Sequence, residues 1–147
     1  MNETDRHQTT VELAELLTRA SWRLRRNERK ALAPYGLTFA SARALRTLVS
    51  SGPMRIGDLA NTLEIVPRTA TTRVDGLEQA GLVARSADPT DRRSVVVSAT
   101  EQGQELVARL TEERRASAET MFAPLSPADQ AALLRVLGLL AADSREV

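Results

Sequence analysis

The segment 81–94, with the sequence GLVARSADPTDRRS, places a turn between two short runs of strand-forming residues. The runs Leu82–Ser86 and Ser94–Ser98 are predicted to be β-strands, because turn-forming residues separate them. The turn contains aspartate, whose side chain bonds to its own backbone, and proline, whose ring fixes φ. We therefore predict a small β-hairpin that carries two adjacent arginines, Arg92 and Arg93, at its tip.

Three short helices are predicted before this hairpin. Thr38 is placed to cap a helix that runs to about Ser50, and a second helix spans Ile56–Leu63. The tight connection 64–66 leads to a third helix, which Pro67 opens because proline is tolerated at the first helical position. Two helices joined by a tight turn and followed by a hairpin predict a winged helix-turn-helix over residues 38–98. A cationic tip beside such a helix suits the negatively charged backbone of DNA.

The helix that Pro67 opens has a small, polar outer face. Ala70, Val74 and Leu77 form its apolar stripe, so arginine and threonine occupy the opposite side and the shoulders. An ordinary surface helix, the alternative interpretation, would favour better helix formers such as Glu, Lys or Ala. The N-terminal residues of the second helix of a helix-turn-helix reach base edges. Besides the hairpin arginines, the candidate DNA-binding residues are therefore Arg68, Thr69, Thr71, Thr72 and Arg73.

The charge balance gives this hypothesis little support. The net charge is +1, and residues 54–93 contain six arginines and six acidic side chains. Any cationic surface must therefore arise from where the side chains point. The balance favours an alternative function, a winged helix used for protein interaction or DNA architecture without an effector.

Several functional classes are excluded by residue usage. The chain has no cysteine, and its one histidine, His7, lies in a polar N-terminal stretch. A thiolate zinc site or a Ser-His-Asp or Cys-His catalytic arrangement is therefore impossible, and we predict no enzyme activity, no cofactor and no metal. The N-terminal residues lack the apolar core of a signal peptide. No apolar run reaches the roughly 18 residues that a membrane span needs, so we expect a soluble, cytoplasmic protein.

Two further helical regions, 10–32 and 100–143, flank the winged helix in what we predict to be a single domain over 1–147. Leu13 and Leu17 belong to the apolar stripe of the first helix, whose arginine-rich second half is interpreted as a solvated face. The alternative is a contact to DNA phosphates or to an acidic effector. After the hairpin, Ser98 or Thr100 is placed to cap a long helix that runs to about Met121.

The last helix begins at Ser126 and Pro127 and is apolar nearly all round. A terminal helix of a small monomer should keep a polar face. We therefore predict a homodimer that buries Leu133, Leu137 and Leu140. The predicted fold class is mainly α with a small β-wing, a winged helix-turn-helix domain plus a helical dimerisation region.

Aromatic residues are scarce, and Trp22, Tyr35 and Phe39 lie near the predicted junction between the first helix and the winged helix. They are candidates for a pocket that takes an apolar effector. The alternative interpretation is ordinary core packing.

Taken together, the motifs resemble those of the MarR family of bacterial regulators from about Thr10 to Ala142. The matching fragments are, in order, Gly36–Thr38, Ile56–Ala60, Val74–Glu78, Gly81–Arg85, Asp88–Arg93 and Thr100–Gly103. Each fragment is short, but their order and spacing are specific. Two positions depart from the family pattern: Val66 replaces a serine or threonine cap, and Ala99 replaces a leucine.

The resemblance implies a winged-helix homodimer on pseudo-palindromic double-stranded DNA, usually as a repressor. It implies that the first, fifth and sixth helices form the dimer, so Leu13 and Leu17 of the first helix are also expected to be dimerisation residues. It implies further that a small aromatic or phenolic ligand releases the DNA. It also implies a wing signature in which Asp91 holds Arg93 so that the arginine enters the minor groove. The absence of cysteine excludes the thiol-based peroxide sensors of this family.

Overall fold

The computed structural model describes residues 3–142. Six α-helices and three short β-strands follow one another within these residues. A 3₁₀ turn, Ala33–Tyr35, separates the first two helices. The helices are α1 (Glu3–Leu32), α2 (Phe39–Ser51), α3 (Ile56–Leu63), α4 (Pro67–Gln79), α5 (Glu101–Phe122) and α6 (Pro127–Ala142), and the strands are β1 (Met54–Arg55), β2 (Val83–Ala87) and β3 (Val95–Ala99). The last position of the predicted dimerisation region, 143, and the ends 1–2 and 144–147 of the predicted domain lie outside the described residues.

The predicted fold class is confirmed, and local signals placed most helix ends. α3 has the predicted bounds, and Pro67 is the first residue of α4. α1 begins earlier than the predicted residue 10. Of the two candidate caps for α5, Thr100 is correct and Ser98 is wrong, since the Thr100 hydroxyl accepts a hydrogen bond from the backbone N–H of Gly103.

Both hairpin strands begin one residue later than predicted, because their expected first residues have other backbone partners. The N–H of Leu82 donates to the carbonyl of Leu77 at 2.9 Å and so completes the end of α4. The N–H of Ser94 donates to the carbonyl of Asp91 at 2.9 Å and belongs to the turn. β1 was not predicted. It pairs antiparallel with β3, which lies in the middle of the sheet order β1-β3-β2.

The hydrophobic core lies where α2, α3, α4 and the sheet meet the first half of α5. Leucine and valine side chains from each of these elements are buried. Ala70, Val74 and Leu77, the predicted apolar stripe of α4, are fully buried. The opposite side of α4 is therefore held outward by the same packing.

A close backbone contact joins the start of α5 to the start of β2. The Thr100 hydroxyl donates to the carbonyl of Gly81 at 2.7 Å, and the Thr100 N–H donates to the carbonyl of Leu82 at 3.0 Å. A Cβ on Gly103 would lie 2.1 Å from the carbonyl oxygen of Leu82. The Thr-x-x-Gly motif therefore fixes α5 against the wing, and only glycine fits at its last position.

The outermost helical segments have the opposite character. α6 has no buried residue, and Leu134 is 75% exposed. Among the predicted dimerisation residues, Leu13, Leu17, Leu137 and Leu140 are exposed and Leu133 is half-buried. Nowhere in residues 3–142 does a helix combine the length and apolarity that crossing a membrane requires.

Candidate nucleic-acid interface

The turn between α3 and α4 fixes the direction of the predicted recognition helix. Glu64 has φ 55°, the left-handed conformation, and the N–H of Ile65 donates to the carbonyl of Ala60 at 3.0 Å. This bond ends α3, and Ile65 packs against the core. The chain then turns outward at Val66, so α4 starts at the surface of the molecule.

The outer face of α4 carries the predicted residues. Arg68 and Thr72 are exposed, whereas Thr69, Thr71 and Arg73 are half-buried on the shoulders. The hydroxyl of Thr71 donates to the carbonyl of Pro67 at 3.0 Å, and that of Thr72 donates to the carbonyl of Arg68 at 3.1 Å. Their hydroxyl protons are thus engaged on the helix, which leaves oxygen lone pairs and methyl groups available to a partner.

The wing turn is held by two aspartates. The Asp88 Oδ1 accepts from the backbone N–H and the hydroxyl of Thr90, at 2.9 and 2.8 Å. The Asp91 carboxylate accepts from the backbone N–H of Arg93 at 3.0 Å and from the hydroxyl of Ser94 at 2.9 Å. These two bonds, the backbone bond first, lower the pKa of Asp91.

Asp91 contacts Arg93 through the backbone of the arginine and not through its side chain. The carboxylate holds the backbone of Arg93 in an Asx-turn, in which an aspartate bonds its own chain two residues on. It forms no ion pair with the guanidinium of Arg93 in the described structure. The guanidinium groups of Arg92 and Arg93 are exposed and stay available to a partner.

Arg55, which the sequence did not single out, fixes the wing from the neighbouring strand. Its Nε and Nη2 donate to the Oδ2 of Asp88 at 2.9 and 2.6 Å. The backbone N–H of Thr90, the Arg55 guanidinium and the Thr90 hydroxyl together lower the pKa of Asp88 to about 2. The aspartate is therefore ionised near neutral pH, and the turn is tied to β1.

A second arginine ties the wing to α4. Arg85 on β2 donates from Nη2 to Asp75 at 2.5 Å and from Nη1 to Glu78 at 2.6 Å. The bond to Asp75, followed by that to Glu78, raises the pKa of Arg85. This clamp holds the recognition helix and the wing in one arrangement. The sequence contained Arg85 in a family-like fragment but gave no sign of its partners.

These ion pairs determine which charged side chains of residues 54–93 have a partner within the fold and which do not. Asp75, Glu78 and Asp88 are paired with Arg85 and Arg55, and Asp91 is occupied by the turn. The other arginines of the segment have guanidinium groups that contact no acid within residues 3–142: Arg68, Arg73, Arg92 and Arg93. Of the six acids, Asp58 and Glu64 are exposed and form no ion pair within residues 3–142. The arginines without an acidic partner nevertheless lie together on α4 and at the wing tip, where they form a local cationic surface.

A buried carboxylate joins the flanking helices to the winged helix. Glu28 of α1 is 2% exposed, accepts from Arg46 of α2, and lies 3.1 Å from Nη2 of Arg114 on α5. Burial alone would raise the pKa of Glu28, but the hydrogen bonds from Arg46 and Arg114 lower it overall. The basic side chains of the second half of α1 are exposed, in agreement with the interpretation as a solvated face, whereas the one acid among them anchors two other helices.

The predicted effector residues are only partly assembled. The guanidinium of Arg29 lies 4.0 Å from the ring centre of Trp22 and 5.6 Å from that of Phe39, and Arg25 lies 5.3 Å from Phe39. Trp22 is 59% exposed, whereas Phe39 packs against the core. Tyr35 lies on the 3₁₀ turn, and its ring is not part of these stacking contacts.

Histidine, aspartate and glutamate side chains form no group that could hold a metal ion in the part of the chain that the structure describes.

Comparison with known proteins agrees with the winged helix-turn-helix arrangement described above. The sequence model of the MarR family matches residues 37–95. The HTH-type transcriptional repressor Rv2887 of Mycobacterium tuberculosis is 33% identical over 131 residues, which cover 89% of this chain and 94% of the relative. The HTH-type transcriptional regulator PecS of Dickeya dadantii is 34% identical over 83% of this chain and 75% of its own length. This chain belongs to the MarR family. Members of the family are regulators of transcription that bind DNA, and they are not enzymes.

Solved structures share the fold over nearly the full length of the chain. A MarR family protein from Bacillus stearothermophilus superposes with a TM-score of 0.73 at 27% identity, covering 99% of both chains. The YusO protein from Bacillus subtilis gives a TM-score of 0.76 and covers 96% of this chain and 99% of its own. Its identity is 22%, so that likeness concerns the fold alone.

Proposed function

We propose that this MarR-family protein is a homodimeric repressor that binds pseudo-palindromic operators and is released from them by a small aromatic or phenolic ligand. The observation that carries the DNA-binding part is the set of arginines whose guanidinium groups contact no acid in residues 3–142. They lie on the outer face and shoulder of α4 and at the wing tip. DNA phosphates supply the negative charge that these groups lack within the fold.

In the proposed complex, α4 enters the major groove and the wing tip enters the adjacent minor groove. Sequence is discriminated in the major groove, where each base pair presents its own pattern of donors and acceptors. Arg68, Thr69, Thr71, Thr72 and Arg73 belong to that contact. Arg92 and Arg93 reach the minor groove, whose negative potential is strongest where A·T tracts narrow it. Two such units would bind half-sites about 10 base pairs apart.

The dimer is proposed because residues 3–142 leave the apolar side chains of α6 and of the first half of α1 largely exposed. Leu13 is 63% exposed and Leu140 is 57% exposed. An apolar helix surface exposed to this extent is typical of a protein interface. Leu137→Asp should yield monomers in sedimentation velocity, and a wild-type protein that sediments as a stable monomer at micromolar concentration would refute the dimer.

Arg93→Ala tests the minor-groove contact. It should weaken binding to all operator variants and reduce the slope of log affinity against log salt by about one per wing. Arg68→Ala should instead change which bases are tolerated. Arg115→Ala is the matched control, because it removes the same charge from an ion-paired site on α5. Unchanged affinity and salt slope in Arg93→Ala would exclude the wing as a DNA contact.

The same titrations address the alternative of an architectural module without an effector. Such a module would bind random and palindromic duplexes alike at each salt concentration. The pairing of Asp75, Glu78 and Asp88 inside the fold leaves arginines without acidic partners on α4 and at the wing tip, which favours DNA binding over this alternative.

The effector site is proposed at the cluster formed by Trp22, Arg25, Arg29 and Phe39, with Tyr35 nearby. Aromatic faces and guanidinium groups together suit a planar, anionic aromatic molecule. Titration with aromatic acids should quench the fluorescence of Trp22 and weaken operator binding with the same midpoint, because coupling between two ligands is reciprocal. Quenching without any change in operator affinity would contradict an effector role.

A further inference from the structure

Val66, immediately before α4, is not the residue type that would best stabilise the start of this helix. It is the N-cap residue, yet no side-chain bond caps the helix, and the residue is 65% exposed. Serine, threonine or aspartate would satisfy a free N–H of the first turn. An apolar side chain in water also forgoes the free energy of burial. Val66 thus lacks both the capping side chain and the burial that the fold alone would favour. Such departures from local preference are expected at functional sites.

The position of Val66 is rigid. Its carbonyl accepts from the N–H of Thr69 at 3.0 Å and from that of Ala70 at 3.2 Å. Valine is branched at Cβ, so its side chain has few rotamers to lose. Its neighbour Ile65 packs against the core, which fixes the turn on the other side. Val66 therefore presents an ordered apolar surface beside Arg68 at the leading end of α4.

Hydrogen-bond donors are few at this end of the helix. The hydroxyl protons of Thr71 and Thr72 are engaged on helix carbonyls. Apart from Arg68 and the half-buried Thr69, the surface offers mainly methyl groups and acceptors. The apolar feature of the major groove is the C5-methyl group of thymine. An exposed apolar group at the leading end of a recognition helix is complementary to it.

We propose that Val66 is a specificity-determining residue that contacts the C5-methyl group of a thymine in the operator half-site. The inference rests on the proposed function, since it requires α4 in the major groove. It adds a base identity to that function and assigns it to a residue at which this chain departs from the serine or threonine typical of its family.

The test begins with duplexes selected by the wild-type protein from a random library. Each thymine of the selected half-site is then replaced by deoxyuridine, which lacks only the methyl group. At one thymine, wild-type affinity should fall about fourfold per half-site, the effect of withdrawing one methyl group from an apolar contact. In Val66→Ser, the same replacement should have no effect at that position.

Three controls make the result specific. Val66→Ile keeps the apolar contact and should keep the sensitivity to uracil. Val95→Ser changes another half-exposed valine, on β3, and should also keep it. Circular dichroism should show that Val66→Ser is folded, since serine is the better cap.

The outcomes separate this inference from the proposed function. A selected site with no methyl-sensitive thymine would overturn the inference, as would a Val66→Ser protein that remains equally sensitive. Failure of the wild-type protein to select any common sequence would overturn the sequence-specific function itself, and this inference with it.

Discussion

Gly103→Ala and Gly76→Ala make the same chemical change in two helices and should shift stability in opposite directions. A Cβ at position 103 would lie 2.1 Å from the Leu82 carbonyl oxygen, so α5 and β2 would have to separate by roughly 1 Å. Overpacking of this kind costs about 1–3 kcal/mol. The two hydrogen bonds of Thr100 across the same contact contribute about 1 kcal/mol each. We therefore expect Gly103→Ala to lower the free energy of unfolding by about 3–5 kcal/mol.

Position 76 lies inside α4, and a Cβ there would meet no atom within 4 Å. Alanine is favoured over glycine inside a helix by about 0.8–1.0 kcal/mol, so Gly76→Ala should be more stable than the wild type. Thermal unfolding followed by circular dichroism would measure both, at equal protein concentration because association raises Tm. Tm should fall by about 10 °C or more in Gly103→Ala. A Gly103→Ala protein within about 1 kcal/mol of the wild type would refute the close contact.

Three further substitutions test contacts that position the interface. Arg85→Met should cost about 1 kcal/mol or less, because its ion pairs are partly exposed, but should weaken operator binding; denaturation and DNA titration measure the two effects. Glu28→Gln should cost about 2 kcal/mol, because a buried charged hydrogen bond is lost. Since the fold lowers the pKa of Glu28, the wild-type advantage should shrink as the pH falls below 4.5, and urea midpoints that keep the same difference would contradict this. Asp88→Asn should speed amide exchange at Thr90 near neutral pH. The difference in exchange rate between the variant and the wild type should disappear only as the pH falls towards about 2, the pKa of Asp88. Equal exchange rates at pH 7 would contradict a role of the Asp88 carboxylate in holding the Thr90 N–H.

The helices were predictable where local chemistry decides their ends. Pro67 acts within the first turn of α4, so the sequence alone carries the signal for the start of that helix. The choice between Ser98 and Thr100 was not local. It depends on the bond from Thr100 to the carbonyl of Gly81, which only the folded chain brings close.

Helical periodicity predicted which residues of α4 face outward, but it could not predict the ion pairs that orient α4 and the wing. Arg55 and Asp88 are 33 residues apart, and Glu28 and Arg114 are 86 apart. No spacing rule links such pairs, because their approach depends on how the helices and strands pack. For the same reason the even count of charges in residues 54–93 was a poor guide to the surface they make.

In the wing, the residues that hold the turn conformation differ from those whose side chains are free to contact a partner. Asp88, Thr90, Asp91 and Ser94 bond to the turn itself, whereas the side chains of Arg92 and Arg93 take no part in that network. Substitutions at 92 and 93 should therefore leave the loop conformation and the thermal stability almost unchanged. A library randomised at these two positions alone would yield mostly folded proteins with altered groove preferences, so the wing can acquire new DNA targets without first being rebuilt.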